Sequence, residues 1–562
     1  MADLTIREQC ERRLDGMKGV RKPFETDWAE IARLALPGRS DFLGDRRASN
    51  HNRRRANTAT HDSHGRRAAR TLAYGMQSGL SPSSMPWFKL KTTDPELVEF
   101  QAVKEWLAQV ETAIYGLFQS MGIYDAFKIG YSELGCFGVS ATVMLEHMEY
   151  DAVAHPLTAG EYWIATDDGL RTDTLYRQVN LTVAQVMAGF DKDKISTQVK
   201  RAYEKSNLQT IVPVIHAIER NRDYDPTKMG SDTKRYRSVW WEEKCDKKQG
   251  VLRSSGYDGK PFWAPRWETV GNDVYSDCAP GFDALPDLRE MQLAARRQGR
   301  AMDMLVKPPM KAPSGLSSTV MSLDPGSFTF ASANDLQGLE PIFRPDYQTL
   351  NAIRESRVEI RQDVSSCFYA DLFRSISDME GVQPRNDLEM SLRNDEKYTQ
   401  LGPVVDRVNI EQLEVAVERA YTILQNRNMI PPPPPDLEGR GLVIEFVSML
   451  AQAQRASQNT AIERAARFVG FVAGLFPDAG IKFDAEQAID EFAAGTGTPP
   501  KIIRSDEVVE QMKTQMQQQA QMAQMAAMAP ALRDGAQAAE LLSRTNVGGG
   551  QTALGQITGM PA

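Results

Sequence analysis

The stretch PDLREMQLAARRQGRAMDML, residues 286–305, decides the architecture of this chain. Leu288, Met291, Ala295, Gln298, Met302 and Leu305 step by three and four residues, the spacing that lines one face of an α-helix, and Pro286 with Asp287 and Glu290 supplies its start. Lys307-Pro308-Pro309 ends it, because proline has no N–H to give to a helix interior. About forty residues on, YQTLNAIRESRVEIRQDVSSC at 347–367 repeats the pattern through Leu350, Ile353, Ile360, Val364 and Cys367, with Arg357 inside the seam. At a rise of about 1.5 Å per residue each helix is on the order of 30 Å long. Both carry charges of either sign on their outer faces, so the pattern by itself predicts an antiparallel hairpin of helices.

Upstream of the hairpin the chain reads as mixed α+β. Leu4 to Leu36 has helical spacing and stops at Pro37-Gly38. Leu72–Leu80 is helix-like, with Gly75 and Gly79 permitting close backbone approach, and Pro86–Leu90 is extended. Leu97 to Phe118 is amphipathic, with Val103, Trp106, Leu107, Val110, Ile114 and Leu117 on one face. Phe137–Tyr150, Tyr162–Tyr176, Ile211–Glu219 and Tyr236–Lys244 read as strands. Downstream, a helix runs through Leu413, Val417 and Leu424 until Pro431–Pro435 stops it. Leu442–Val447 is a strand, and Leu450–Phe476, Asp484–Phe492 and the Met/Gln/Ala tract Met512–Met528 are helices. The end from Gly548 is expected to be disordered.

The 562 residues, 41% hydrophobic and 25% charged, suffice for several packed layers. Five scattered cysteines with no CxxC pair argue against a disulfide framework or a zinc site and fit a reducing cytoplasm. No signal-type segment opens the chain, and its longest apolar run, Phe468–Phe476, is far short of a membrane span. A formal net charge of -8 is wrong for a protein that grips DNA by neutralising phosphates.

Catalytic constellations are missing from the text of the chain. There is no GxxxxGK[ST] loop and no GxSxG, and Gly259-Lys260 fits a turn. His61 and His64 form an HxxH without a zincin glutamate and read as solvated residues of an arginine-rich segment, Arg46 to Arg70, itself read as a solvated loop and helix start. Asp167-Asp168-Gly169 reads as a hairpin turn.

Several segments, in this order, resemble the head-to-tail connector family of podoviruses. They are LAYGMQSGLSPSSMPWFKL at 72–90, the run from Phe262 (FWAPRW) through GFDALP to Pro286, Lys307-Pro308-Pro309, Leu323–Gly326 (LDPG) and Gly402–Asp406 (GPVVD). They continue with Ile430 and its following prolines, Glu445–Arg455 (EFVSMLAQAQR) and Pro499–Arg504 (PPKIIR).

The resemblance implies a portal-type elongated subunit, mixed α+β and predominantly α-helical, built of wing, stem, clip and crown and assembling into a ring of about twelve around an axial channel. It implies a wing at 1–285, a first stem helix at 286–306, a clip at 307–345 and a second stem helix at 346–370. A tunnel loop and return through the wing follow at 371–440, wing and crown helices at 441–505, and a crown extension at 506–562. Implied partners are further copies of itself, double-stranded DNA in transit, terminase, major capsid and scaffolding proteins and tail adaptors, with no membrane, no cofactor, no metal and no catalysis. The implied location is the virion at a capsid vertex, after assembly in the host cytoplasm. Arg385, Arg393 and Lys397 are the DNA-channel candidates by position and charge, and Lys307, Lys311 and Arg344 the partner-docking candidates of the clip. Arg357, which breaks the second heptad pattern, is expected to face a neighbouring subunit or the channel. Another virion structural protein, such as a tail adaptor or internal core protein, shares this composition and differs in making no large ring with a channel.

Overall fold

In the computed structural model the described residues are 5–37, 60–94, 100–306 (without 228–229, 244 and 246–249), 310–311, 340–341, 347–373, 401–437 and 441–447, together with stretches of 462–544. The chain divides into two compact units, 1–93 with 109–454 and 94–108 with 455–562.

The first unit is built on a five-stranded antiparallel meander of β4 (Tyr162–Thr166), β5 (Thr172–Thr182), β6 (Ile211–Arg220), β7 (Tyr236–Glu242) and β8 (Arg253–Tyr257). The β4–β5 turn is made by Asp167-Asp168-Gly169, as read from the sequence. The Asp167 N–H donates to the Arg171 carbonyl at 2.9 Å, and Leu170 takes a φ of 58°. Helix α1 (Ile6–Arg21) starts in a capping box of Thr5 and Glu8 and lays Cys10, Leu14 and Met17 on one face of this sheet, against Trp163, Tyr176, Ile215 and Trp241. Burial of each large side chain here contributes about 1.5–3 kcal/mol. Glu219 stands in the same layer, accepting from the Tyr176 hydroxyl at 2.6 Å, from Arg13 at 3.0 Å and from Arg237.

Helix α2 (Glu25–Ala35) follows directly, and α3 (His64–Leu80), α4 (Gln101–Ser120) and α5 (Ile123–Phe137) form a helical layer with the three-stranded sheet β3-β2-β9. Its strands are β2 (Ala141–His147), β3 (Asp151–Leu157) and β9 (Phe262–Trp263). Trp28 anchors that layer: it is fully buried, and its indole N–H donates to the Phe137 carbonyl at 3.0 Å. The segment from Phe137 is a helix end before it is a strand, and β2 buries Ala141 to Met144 consecutively instead of alternating, because it is the central strand of its sheet.

Two segments that carried the resemblance prove to be partners. Strand β1 (Phe88–Thr92), from PWFKL, pairs antiparallel with β12 (Leu442–Phe446), placing Phe88 opposite Phe446 and Leu90 opposite Ile444. Tyr115 of α4 ties this pair down. Its hydroxyl accepts from the N–H groups of Trp87 and Phe88 and donates to the Phe88 carbonyl, each at 2.9 Å.

The two heptad stretches are helices, α9 (Leu285–Val306) and α10 (Tyr347–Cys367), after the single turn α8 (Pro280–Asp283). They pack on each other, and a two-residue antiparallel pair, β10 (Met310–Lys311) with β11 (Glu340–Pro341), lies between them in sequence. The short helices α6 (Val183–Gly189) and α7 (Thr197–Glu204) cap one end of the meander. Helix α11 (Ala370–Phe373) then presents the Phe373 ring to Gly75, where a Cβ would sit 2.2 Å from ring carbons, so the close approach expected of that glycine is realised. A π-helical turn, Asn409–Leu413, leads into α12 (Glu414–Asn426), which ends before the proline run.

In the second unit, 462–472 and 511–522 are helical and carry Phe468, Phe471, Met512, Met516 and Met522 exposed. None of the described helices is long and apolar enough to cross a membrane.

Candidate functional site

The hairpin α9/α10 is held at its base by one short loop, His61–His64, at the start of α3. Asp62, only 2% exposed in its side chain, accepts through Oδ2 from Arg357 (Nη2 2.8 Å, Nε 3.2 Å) and from Arg361 (Nη2 2.9 Å, Nε 3.1 Å), both on α10. Its backbone is gripped from α9: Gln292 accepts from the N–H groups of His61 (2.7 Å) and Asp62 (2.9 Å) and donates to the Asp62 carbonyl (2.7 Å). His64 completes the junction with a 2.8 Å hydrogen bond between Nε2 and the Ser365 hydroxyl. Gly65 lets the loop come this near, since a Cβ there would lie 2.3 Å from Leu288 of α9. Four residues of loop thus fasten both helices, and Arg289 of α9 is tied to Glu30 of α2 beside them.

Burial works to raise the Asp62 pKa, but hydrogen bonds from Arg357, the His64 N–H and Arg361 outweigh it and hold the carboxyl below its ordinary value. His64 is pushed down by burial and by Arg67. The expectation that both histidines are solvated holds for His61, which is exposed, and fails for His64, which is half-buried and hydrogen-bonded. Arg357, whose side chain is 20% exposed, turns to the base of the hairpin within the chain. Its guanidinium is spent on Asp62 and on the Gln298 side chain of α9.

Of the residues singled out from the sequence, Lys311 stands on β10 opposite Glu340. Lys307, Arg344, Arg385, Arg393 and Lys397 lie outside the described residues. What the sequence reading missed is Asp62 with its partners Gln292 and Arg361, and Ser365, the partner of His64. The only local signal is a lone acid in the HDSH segment between arginine clusters.

A second polar centre lies inside the five-stranded sheet. His216 of β6 is fully buried, with Nδ1 accepting from Arg177 Nε at 3.1 Å and Nε2 lying 3.0 Å from the Ser238 hydroxyl, and its ring stacks on Trp240 at 3.8 Å. Burial, then Arg177, Arg253 and His155, push its pKa well below 6.5. A group whose folded pKa is depressed stabilises the fold above its unfolded pKa and loses that contribution as the pH falls below it. The sheet is therefore expected to weaken below pH 6.5 by up to about 1.4 kcal/mol per pH unit for His216. Protection of the β5, β6 and β7 amides against hydrogen exchange, corrected for intrinsic rates at pH 7.5 and pH 5, checks this; a His216→Gln chain as acid-sensitive as the parent would sink it.

A cleft of about 800 Å³ opens between the start of β5, the bend Asp258–Lys260 after β8, α12 and β12, with charges of both signs. Lys260 lines it at the bend after β8, as the turn reading of Gly259-Lys260 requires, donates to Thr172 Oγ1 at 3.3 Å and is pushed down to about 8 by burial. Among the described residues no group of His, Cys, Asp and Glu is placed to hold a metal ion.

A family model described as bacteriophage head to tail connecting protein matches residues 7–503. The probable portal protein of Bordetella phage BPP-1 is 36% identical over 507 residues, 90% of each chain. The portal protein of Salmonella phage epsilon15 is 34% identical over 561 residues, 99% of each. Among solved structures, a chain of the virion of a native gene transfer agent particle aligns over 76% of this chain and 89% of its own, with a TM-score of 0.32 at 10% identity.

Proposed function

Because the chain belongs to the bacteriophage head to tail connecting protein family, we propose that it is the portal subunit of its virion, several copies of which ring a channel that double-stranded DNA crosses on packaging and ejection. Identity of 34–36% to two portal proteins, spread along 90–99% of their lengths, is the observation that carries this reading. The protein is a virion component and works mechanically: about twelve copies occupy one capsid vertex, assembled in the host cytoplasm, dock the terminase, and later bind tail adaptors.

In this reading the unit around the five-stranded sheet is the wing, α9 and α10 are the stem, and 307–345, pinned at its base by β10 and β11, is the clip. Lys307, Lys311 and Arg344 are its docking cations, and Arg385, Arg393 and Lys397 are the channel cations of a tunnel loop within 371–440. The fastening of both helices to α3 supports a load-bearing role for the hairpin, since a stem must pass force between clip and wing without shearing. The acidic balance supports a conduit: a ring multiplies the charge of -8, and like charge keeps a moving polyanion from sticking. Negative-stain imaging with mass determination of the full chain tests the proposal. Rings with a central hole are expected, and a monomer or dimer under all conditions overturns it.

A further inference from the structure

The outward faces of the hairpin carry opposite charge. On α9, the face turned away from Leu288 and Met291 presents Leu293, Arg296, Arg297, Arg300 and Met304, all exposed and recurring at helical spacing. On α10, the face turned away from Leu350, Ile360 and Val364 presents Asn351, Glu355, Val358, Glu359 and Gln362, also exposed. Among the described residues, Arg296, Arg297, Arg300, Glu355 and Glu359 make no ion pair within the chain, unlike Arg289, Arg357 and Arg361 on the same helices. Asp303 and Arg354 flank these stripes instead of sitting in them.

The two stripes also match in height. Arg357 reaches Gln298 across the hairpin, which puts residues 298 and 357 level. The helices run antiparallel, so 296 is level with 359, and 300 with 355. Rotation about an axis running along the hairpin leaves heights unchanged. A rotated copy therefore brings its α10 acids to the levels of the α9 arginines of its neighbour, with Leu293, Met304 and Val358 as apolar filling between them.

We propose that neighbouring copies close the ring through this seam, Arg296 and Arg300 of one copy meeting Glu359 and Glu355 of the next. The inference rests on the ring reading above and names its heterologous contact. A second copy is favoured over nucleic acid as the occupant because two of the three arginines of the stripe, Arg296 and Arg300, are answered level for level by Glu359 and Glu355 on the same hairpin. A surface meant for phosphates has no use for that answer.

The test uses the full chain in three forms: Arg296→Glu with Arg300→Glu, Glu355→Arg with Glu359→Arg, and all four together. Assembly is read by mass photometry and negative stain at low and high salt, with thermal unfolding as a check that each chain folds. Each charge-reversed pair is expected to raise the concentration needed for ring formation by at least about tenfold, and the fourfold variant to return it to within a few-fold of the parent. High salt should weaken the parent ring and narrow the differences. Rings that form from either reversed pair at parental concentrations overturn the seam, and do so in favour of a polyanion-facing stripe if the arginine variant has also lost DNA binding. Loss of rings without rescue by the fourfold variant overturns the pairing. A parent chain that makes no ring at all overturns the underlying reading instead.

Discussion

Replacing Asp62 with alanine is expected to free the base of the hairpin, speeding amide exchange of α9 and α10 by about two orders of magnitude, which corresponds to a loss of about 3 kcal/mol. The carboxylate is buried and is shared by two guanidinium groups on one helix face, Arg357 and Arg361, with side-chain exposures of 20% and 35%. Without it, two like charges about one helical turn apart face each other beside the buried end of α3, and only the more exposed Arg361 rehydrates readily. Asp62→Asn keeps the shape and one acceptor oxygen and should fall between parent and alanine. Exposed surface pairs such as Lys18–Asp15 serve as the control, since their removal costs little. Hydrogen exchange is the suitable probe because a chain of two units has no single unfolding transition. Unchanged protection of α9 and α10 in Asp62→Ala would show that apolar packing alone holds the hairpin.

Removal of the Glu411 side chain is expected to be at least as damaging, at about 3–5 kcal/mol. Arg266, in the FWAPRW segment, is buried; its guanidinium donates to Glu411 at 2.6 Å and 3.4 Å, and its backbone N–H donates to the same carboxylate at 3.0 Å. In Glu411→Ala a guanidinium of 3% side-chain exposure keeps only the Leu170 carbonyl, 2.5 Å away. Glu411 itself lies within the π-turn Asn409–Leu413. Loss of the pair should loosen 401–426 from the sheet of β2 and β9, read as faster limited proteolysis of that segment. Replacing both partners together, Arg266→Met with Glu411→Leu, should recover most of the loss, because no buried charge is then stranded. If the double variant is as fragile as Glu411→Ala, the cost lies in packing and not in the orphaned cation.

The hairpin was legible because its signal is local: two runs of heptad spacing, the first closed by its own prolines. The α9 boundary at Val306 lies where Lys307-Pro308-Pro309 placed it. Helix α5 was not legible, since it is buried over most of its surface, from Ile123 and Phe127 to Tyr131 and Phe137, and only Asp125, Lys128 and Ser132 mark a narrow polar edge. The junction at Asp62 was illegible for another reason. Its partners stand 230 to 299 residues away in sequence, and spacing rules reach only along one element. Arg357 shows the same limit from the opposite side: the break in the heptad was visible, but its partner was not. The extended Pro86–Leu90 and the strand Leu442–Val447 were each legible as local structure, and only the pairing of β1 with β12 shows that they belong together.

That pairing also sets a clock on synthesis. Strand β1 emerges early, yet its partner ends at Phe446, more than three hundred residues later. At translation rates of about 5–20 residues per second the wait is about 20–70 s. Throughout it the edge of β1 and the rings of Trp87 and Phe88 lack the neighbour that completes them, which is the kind of exposed strand that chaperones capture and that aggregates when left alone. No nascent chain can complete this fold until nearly four-fifths of it has left the ribosome. The finished fold therefore lags the start of translation by a fixed delay that the length of this loop determines.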